Sequence, residues 1–118
     1  MSTITSSSTL SLDTVFYILS DCRKRYVLYA LHRAEGNSLS VHQLATKVHS
    51  MEQNGSFAND GSPTQVADDL RKQRLPELAT AGVVEYDERS ETARYHRMPS
   101  LEEWLEHAEF KEGKHPRP

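Results

Sequence analysis

A single cysteine, Cys22, stands in a chain of 118 residues. One thiol closes no internal disulfide and anchors no thiolate metal cluster, so Cys22 reads as a small, partly buried apolar residue. Long hydrophobic runs are missing as well. No stretch approaches the ~18 apolar residues that span a bilayer, and no membrane partner is expected. A basic excess is also lacking: Lys and Arg number 14 against 17 Asp and Glu, a formal net charge of -3. Proteins that bind nucleic acid usually carry a clear positive excess, so any DNA contact has to come from a local patch. No Gly-rich phosphate loop, nucleophile elbow or paired-carboxylate signature occurs. No catalytic or cofactor-binding residue is therefore assigned, and the chain reads as something other than an enzyme. Nor do the six histidines suggest a metal. His42 and His49 fall ~10 Å apart by helix rise, too far to share one ion, while His32, His96, His107 and His115 are scattered.

What is present is a soluble composition, 36% hydrophobic and 26% charged, in a length that suits one domain with a modest core. Residues 1–10 are rich in Ser and Thr and lack the basic cluster and apolar stretch of a signal peptide. They read as a disordered tail, with the cytoplasm as the default location, and residues 114–118 read as a second tail.

Between the tails the apolar periodicity is mostly helical. Leu12, Val15, Phe16 and Leu19 recur at i, i+3, i+4 and i+7, with Ser11 placed to cap them. Ser20-Asp21 interrupts and can cap a second helix carrying Val27, Ala30, Leu31 and Ala34, which Gly36 then stops. Ser40 and Gln43 form a capping box for a third helix, and Leu39 and Leu44 occupy its hydrophobic-staple positions. Residues 53–61 read as a polar loop. Ser62 and Gln65 make a second box, with Pro63 at the first helical position. That helix runs on through Leu70, Leu75 and Leu78, and Pro76 should kink or restart it near Leu75. After Gly82, residues 83–87 and 92–97 alternate as the two strands of a hairpin, to which Leu39 could add a short third strand. Ser100 and Glu103 suggest a third capping box, opening a final helix with Leu101, Trp104, Leu105 and Ala108 along one stripe.

The fold class is thus mainly α with a small β-hairpin, in the order α-α-α-loop-α-β-β-α, which is the plan of a winged helix-turn-helix over residues 11–98. Residues 99–113 form a C-terminal helix that is a candidate dimerisation element. The run Leu75-Pro76-Glu77-Leu78-Ala79-Thr80-Ala81-Gly82-Val83-Val84 resembles the Leu-x-x-Leu-x-x-Ala-Gly-Leu/Val-Val segment that joins recognition helix to wing in arsenical-resistance-type repressors. With Arg23-Lys24-Arg25-Tyr26-Val27-Leu28 and the stretch 40–45, the chain resembles an uncharacterised winged-helix domain family common in halophilic archaea. The resemblance covers about residues 12–97 and implies a regulatory role.

On that plan Gln65, Arg71, Lys72, Gln73 and Arg74 lie on the presumed recognition helix, where Arg and Gln can pair with base edges in the major groove. Asp68 and Asp69 are equally ordinary helix-face partners for these cations. Arg89 and Arg94 belong to the wing and could meet phosphates, or simply give the hairpin a charged edge. Arg23, Lys24 and Arg25 open a helix whose dipole they oppose; they could contact a phosphate or an acidic partner, or be satisfied by nearby Asp21 and Glu35 or by solvent. Phe16, Trp104 and Leu105 are the residues expected to dimerise, unless they complete the monomer core. Two functions follow from this sequence. One is a DNA-binding transcriptional regulator, acting on double-stranded DNA as a homodimer. The other is a winged-helix protein-interaction module without DNA binding.

Overall fold

The structure, a computed structural model, describes residues 10–54 and 61–112. The expected tails and most of the expected loop at 53–61 therefore lie outside the described residues.

Helix α1 (Leu12–Leu19) starts where Ser11 accepts a hydrogen bond from the Thr14 amide, and α2 (Cys22–Arg33) where Asp21 accepts one from the Lys24 amide. These caps satisfy amides that have no intrahelical partner. A 3-10 turn, Glu35–Asn37, follows, with Gly36 at φ 67°. It leads into strand β1 (Ser38–Ser40) and then α3 (Val41–Asn54). Ser40 and Gln43 close the expected capping box, with bonds of 3.0 and 3.1 Å. Helix α3 continues through Asn54 and so takes in the first two residues of the expected loop.

Helix α4 (Pro63–Asp69) opens with the second capping box. The Pro76 effect is visible in what comes next. A π-helical stretch, Leu70–Arg74, separates α4 from α5 (Leu75–Thr80), and the Leu75 amide bonds to the Leu70 carbonyl. Proline offers no amide and crowds the carbonyl one turn back. One extra residue in the turn absorbs that conflict without breaking the helical rod. Gly82, at φ 83°, ends α5. Its amide bonds to Ala79 O and the Val83 amide to Leu78 O, which is a Schellman termination.

Strands β2 (Val84–Asp87) and β3 (Thr92–Tyr95) form the hairpin, slightly shorter than the sequence suggests. Strand β1 pairs with the free edge of β3, giving a three-stranded antiparallel sheet in the order β1-β3-β2. Leu39 sits opposite Ala93, and Val84 opposite Tyr95. Period-2 alternation then turns Val84, Ala93 and Tyr95 to the core and Glu85 and Arg94 to solvent.

Helix α6 (Pro99–Glu112) closes the molecule, and here one expectation fails. The helix starts at Pro99, one residue before the expected box, and the Leu101 and Glu102 amides both bond to Met98 O. Proline is preorganised for the first helical position, which places Ser100 inside the first turn. Its hydroxyl is buried with no hydrogen-bond partner among the described residues, so the third capping box does not form.

The core is one cluster. Leu28 and Leu31 of α2, Leu44 and Val48 of α3, Leu70, Leu75 and Leu78 of the π-interrupted rod, and Leu101 and Leu105 of α6 all meet in it. A mainly helical body carrying a small antiparallel sheet is the arrangement compatible with a winged helix. Leu105, expected at a dimer interface, is only 1% exposed. Truncating it to Ala should cost about 2–5 kcal/mol, independent of protein concentration in urea unfolding. A concentration-dependent loss would assign Leu105 to an interface instead.

Candidate nucleic-acid interface and the ion pairs behind it

The helical rod 63–80 and the wing turn 88–91 form the surface on which the expected DNA-contacting residues fall. Gln65 is exposed, but its carbonyl oxygen accepts from the Ser62 amide at 3.0 Å, so only its NH2 group remains for recognition. Lys72 and Gln73 are exposed. Arg71 bridges two elements: its Nη1 lies 2.8 Å from Asp68 and its Nε 2.8 Å from Glu91 in the wing turn. The Glu91 carboxylate raises the Arg71 pKa. Arg74 faces inward. It donates to both oxygens of Asp21 at 3.2 Å and to Asp69 at 2.9 Å. Helix and wing are thus joined at one exposed edge by Arg71, while Arg74 fastens the rod to the start of α2.

The basic triplet that opens α2 is held internally as well. Arg23 makes a two-pronged bond to Glu52 of α3, at 2.6 and 2.8 Å, and a third to Asp69 at 3.0 Å. Its pKa is raised, chiefly by the Glu52 hydrogen bonds. Lys24 is only 3% exposed; its Nζ lies 2.8 Å from Glu77 of α5 and over the Tyr17 ring at 4.4 Å. Arg25 clamps Glu112 of α6 at 2.8 and 3.0 Å. Burial alone would raise the Glu112 pKa, but the bonds from Arg25 and Tyr29 outweigh it and leave the carboxyl below its ordinary value. Nearby, Arg33 pairs with Glu109, extending the row of contacts between α2 and α6.

The wing is mixed in sign. Arg89 is exposed and pairs with no carboxylate among the described residues; its backbone amide donates to Asp87 at 3.1 Å. Arg94 lies on the solvent face of the sheet, paired in register with Glu85 on one side and Ser38 on the other. Across the rod 63–80 and the wing turn 88–91, Arg71, Lys72, Arg74 and Arg89 stand against Asp68, Asp69, Glu77, Glu88 and Glu91, four cations against five carboxylates. Among the described residues of this surface, cations do not outnumber carboxylates.

The expected dimerisation residues divide. Phe16 and Trp104 are 47% and 39% exposed and meet edge to face at 5.3 Å between ring centroids. Leu12, 56% exposed, lies one turn before Phe16 on α1. Leu105 is in the core.

One cluster escaped the sequence reading. His32 of α2 meets Glu102 and Glu106 of α6, with ligand-capable atoms all within 4.8 Å of one another. Two carboxylates four apart on a helix share a face, which was legible. Their meeting with a histidine some 70 residues earlier depends on how α6 packs.

A family model for a domain of unknown function (DUF7344) matches residues 16–94. The match takes in α2, α3, the π-interrupted rod and the hairpin, and the chain belongs to this family. No curated protein and no solved structure matches the chain. Among the described residues, no helix is long and apolar enough to cross a membrane.

The Asp21 link has a consequence in acid. Burial raises the Asp21 pKa, but hydrogen bonds from Arg74 and the Lys24 amide, with the charges of both residues, bring it below 3.8. A carboxyl whose folded-state pKa is depressed contributes stability above its unfolded value, and that stability is lost as pH falls through the folded value. Stability in urea should therefore drop below about pH 4. Asp21→Asn, which keeps the cap, should flatten that drop; an unchanged acid profile would contradict the assignment.

Proposed function

We propose that the chain is a DNA-binding transcriptional regulator of the winged-helix type, working as a homodimer rather than as an enzyme. The observation that carries this reading is the Arg71 bridge. It sets the wing turn beside the rod at an exposed edge, and groove docking needs helix and wing on one side of the molecule. Lys72, Gln73, the Gln65 amide and Arg89 are the groups there that remain open to bases and phosphates.

Because carboxylates hold Arg71 and Arg74, few cations are left to displace counterions from DNA. Two contacts, by Lys72 and Arg89, correspond to a slope of about -2 for log K against log salt, well short of a strongly basic repressor. Fluorescence anisotropy with random duplex DNA at rising salt measures this. Lys72→Ala or Arg89→Ala is expected to weaken binding and reduce the slope by about 1, whereas Arg74→Ala should chiefly lower stability. A folded protein that binds no duplex at the lowest salt would overturn the proposal.

That outcome would favour the second reading, a protein-interaction module. The excess of carboxylates over cations on the helix-wing surface supports it. In either case the face formed by Leu12, Phe16 and Trp104 is the proposed contact between two copies. Phe16→Glu combined with Trp104→Glu should yield a monomer in sedimentation equilibrium while leaving the circular dichroism unchanged. A dimer that survives both changes would remove that face from the account.

A further inference from the structure

We propose that His32, Glu102 and Glu106 form a binding site for a divalent transition-metal ion of the zinc class, tying α6 to α2. Three observations converge on this. First, the distance between His32 Nε2 and Glu102 Oε2 is 3.2 Å, yet the nitrogen is buried and has no hydrogen-bond partner among the described residues. Two ligand atoms bound tetrahedrally to one zinc at ordinary bond lengths stand about 3.4 Å apart. A close approach without hydrogen-bond geometry is what two ligands of one ion show.

Second, Glu106 lies one turn beyond Glu102 on α6 and completes a set of three ligand atoms within 4.8 Å. It is exposed, and its carboxylate already lies within reach of the other two ligand atoms. One imidazole and two carboxylates, with a position left for water, is a donor set that zinc accepts. The imidazole disfavours magnesium and calcium, which prefer oxygen alone.

Third, the hydroxyl of Tyr95 is buried beside the cluster; the Met98 backbone acts on it, but among the described residues no acceptor for its proton stands in hydrogen-bond geometry. The Tyr95 ring meets that of His32 at 6.0 Å between centroids, and the charges of Glu102 and Glu106 both act on its hydroxyl. Buried polar groups nearly always find partners. A water on the ion would supply one for this hydroxyl. Arg97 Nε donates at 2.8 Å to the same Glu102 Oε2 that faces His32, an orienting contact of the kind that metal-binding carboxylates usually carry.

The test is a calorimetric titration of the full-length chain with Zn2+ alone, after chelator treatment, together with the His32 ring resonances and the melting temperature. One ion per chain is expected, with a shift of the His32 signals and a rise in melting temperature. Mg2+ should neither bind nor compete. Glu106→Gln removes only an exposed ligand, so it should fold normally while weakening binding by about tenfold or more. His32→Gln should weaken it further, and His42→Gln or His107→Gln should leave it unchanged. The proposal falls if no stoichiometric binding occurs. It falls equally if binding survives Glu106→Gln undiminished, or if the ion shifts the signals of another histidine and leaves those of His32 in place.

Discussion

Everything in this molecule is arranged around the three cations at the start of α2. Arg23 reaches Glu52 on α3 and Asp69 on α4, Lys24 reaches Glu77 on α5, and Arg25 reaches Glu112 on α6. One turn of helix is thus bound to four others. The placement opposes the dipole of α2, and nearly full burial of Lys24 would be costly for an unpaired charge. Both costs are offset by carboxylates that arrive from elsewhere in the chain with hydrogen-bonding geometry. Asp21 adds to the same knot, capping α2 with one oxygen while both its oxygens hold Arg74. Such a network fixes helix orientations more than it adds net stability, since hydrophobic packing of similar volume often does as well.

This network also bears on function. A charge already engaged with a carboxylate contributes little to attracting a phosphate. The triplet and Arg74, which by their charge look like a basic patch, are engaged by carboxylates in the folded chain. What remains on the helix-wing edge is sparse and mixed in sign. If that edge reads DNA, it does so through a few hydrogen-bonding groups, with little help from long-range attraction.

The fold was largely legible because its signals are local. The Ser40 and Ser62 boxes, the Asp21 cap, Gly82 after the rod and the alternation of Val84 and Tyr86 each depend on residues within one turn. The proline conflict at Pro76 was legible too, though its resolution as a π-helical stretch was not. What failed depended on competition or distance. Pro99 took the first helical position and displaced the Ser100 box, a contest that spacing alone does not decide. Leu105 lay on a stripe shared by core and surface, and only the packing of α6 separates it from Trp104. The carboxylate partners of Arg23, Lys24 and Arg25 lie between 29 and 87 residues away, beyond any local pattern. The same holds for His32 and its two glutamates.

The central claim is that the basic triplet serves the fold, and a double-mutant cycle tests it most directly. Arg23→Gln, Glu52→Gln and the double variant would be compared by urea unfolding at neutral pH. The account expects each single change to destabilise, with a coupling energy of about 1–3 kcal/mol between the two sites. Folded Arg23→Gln should also show unchanged association with duplex DNA. Additive effects on stability, together with a loss of DNA affinity on removing Arg23 alone, would contradict it.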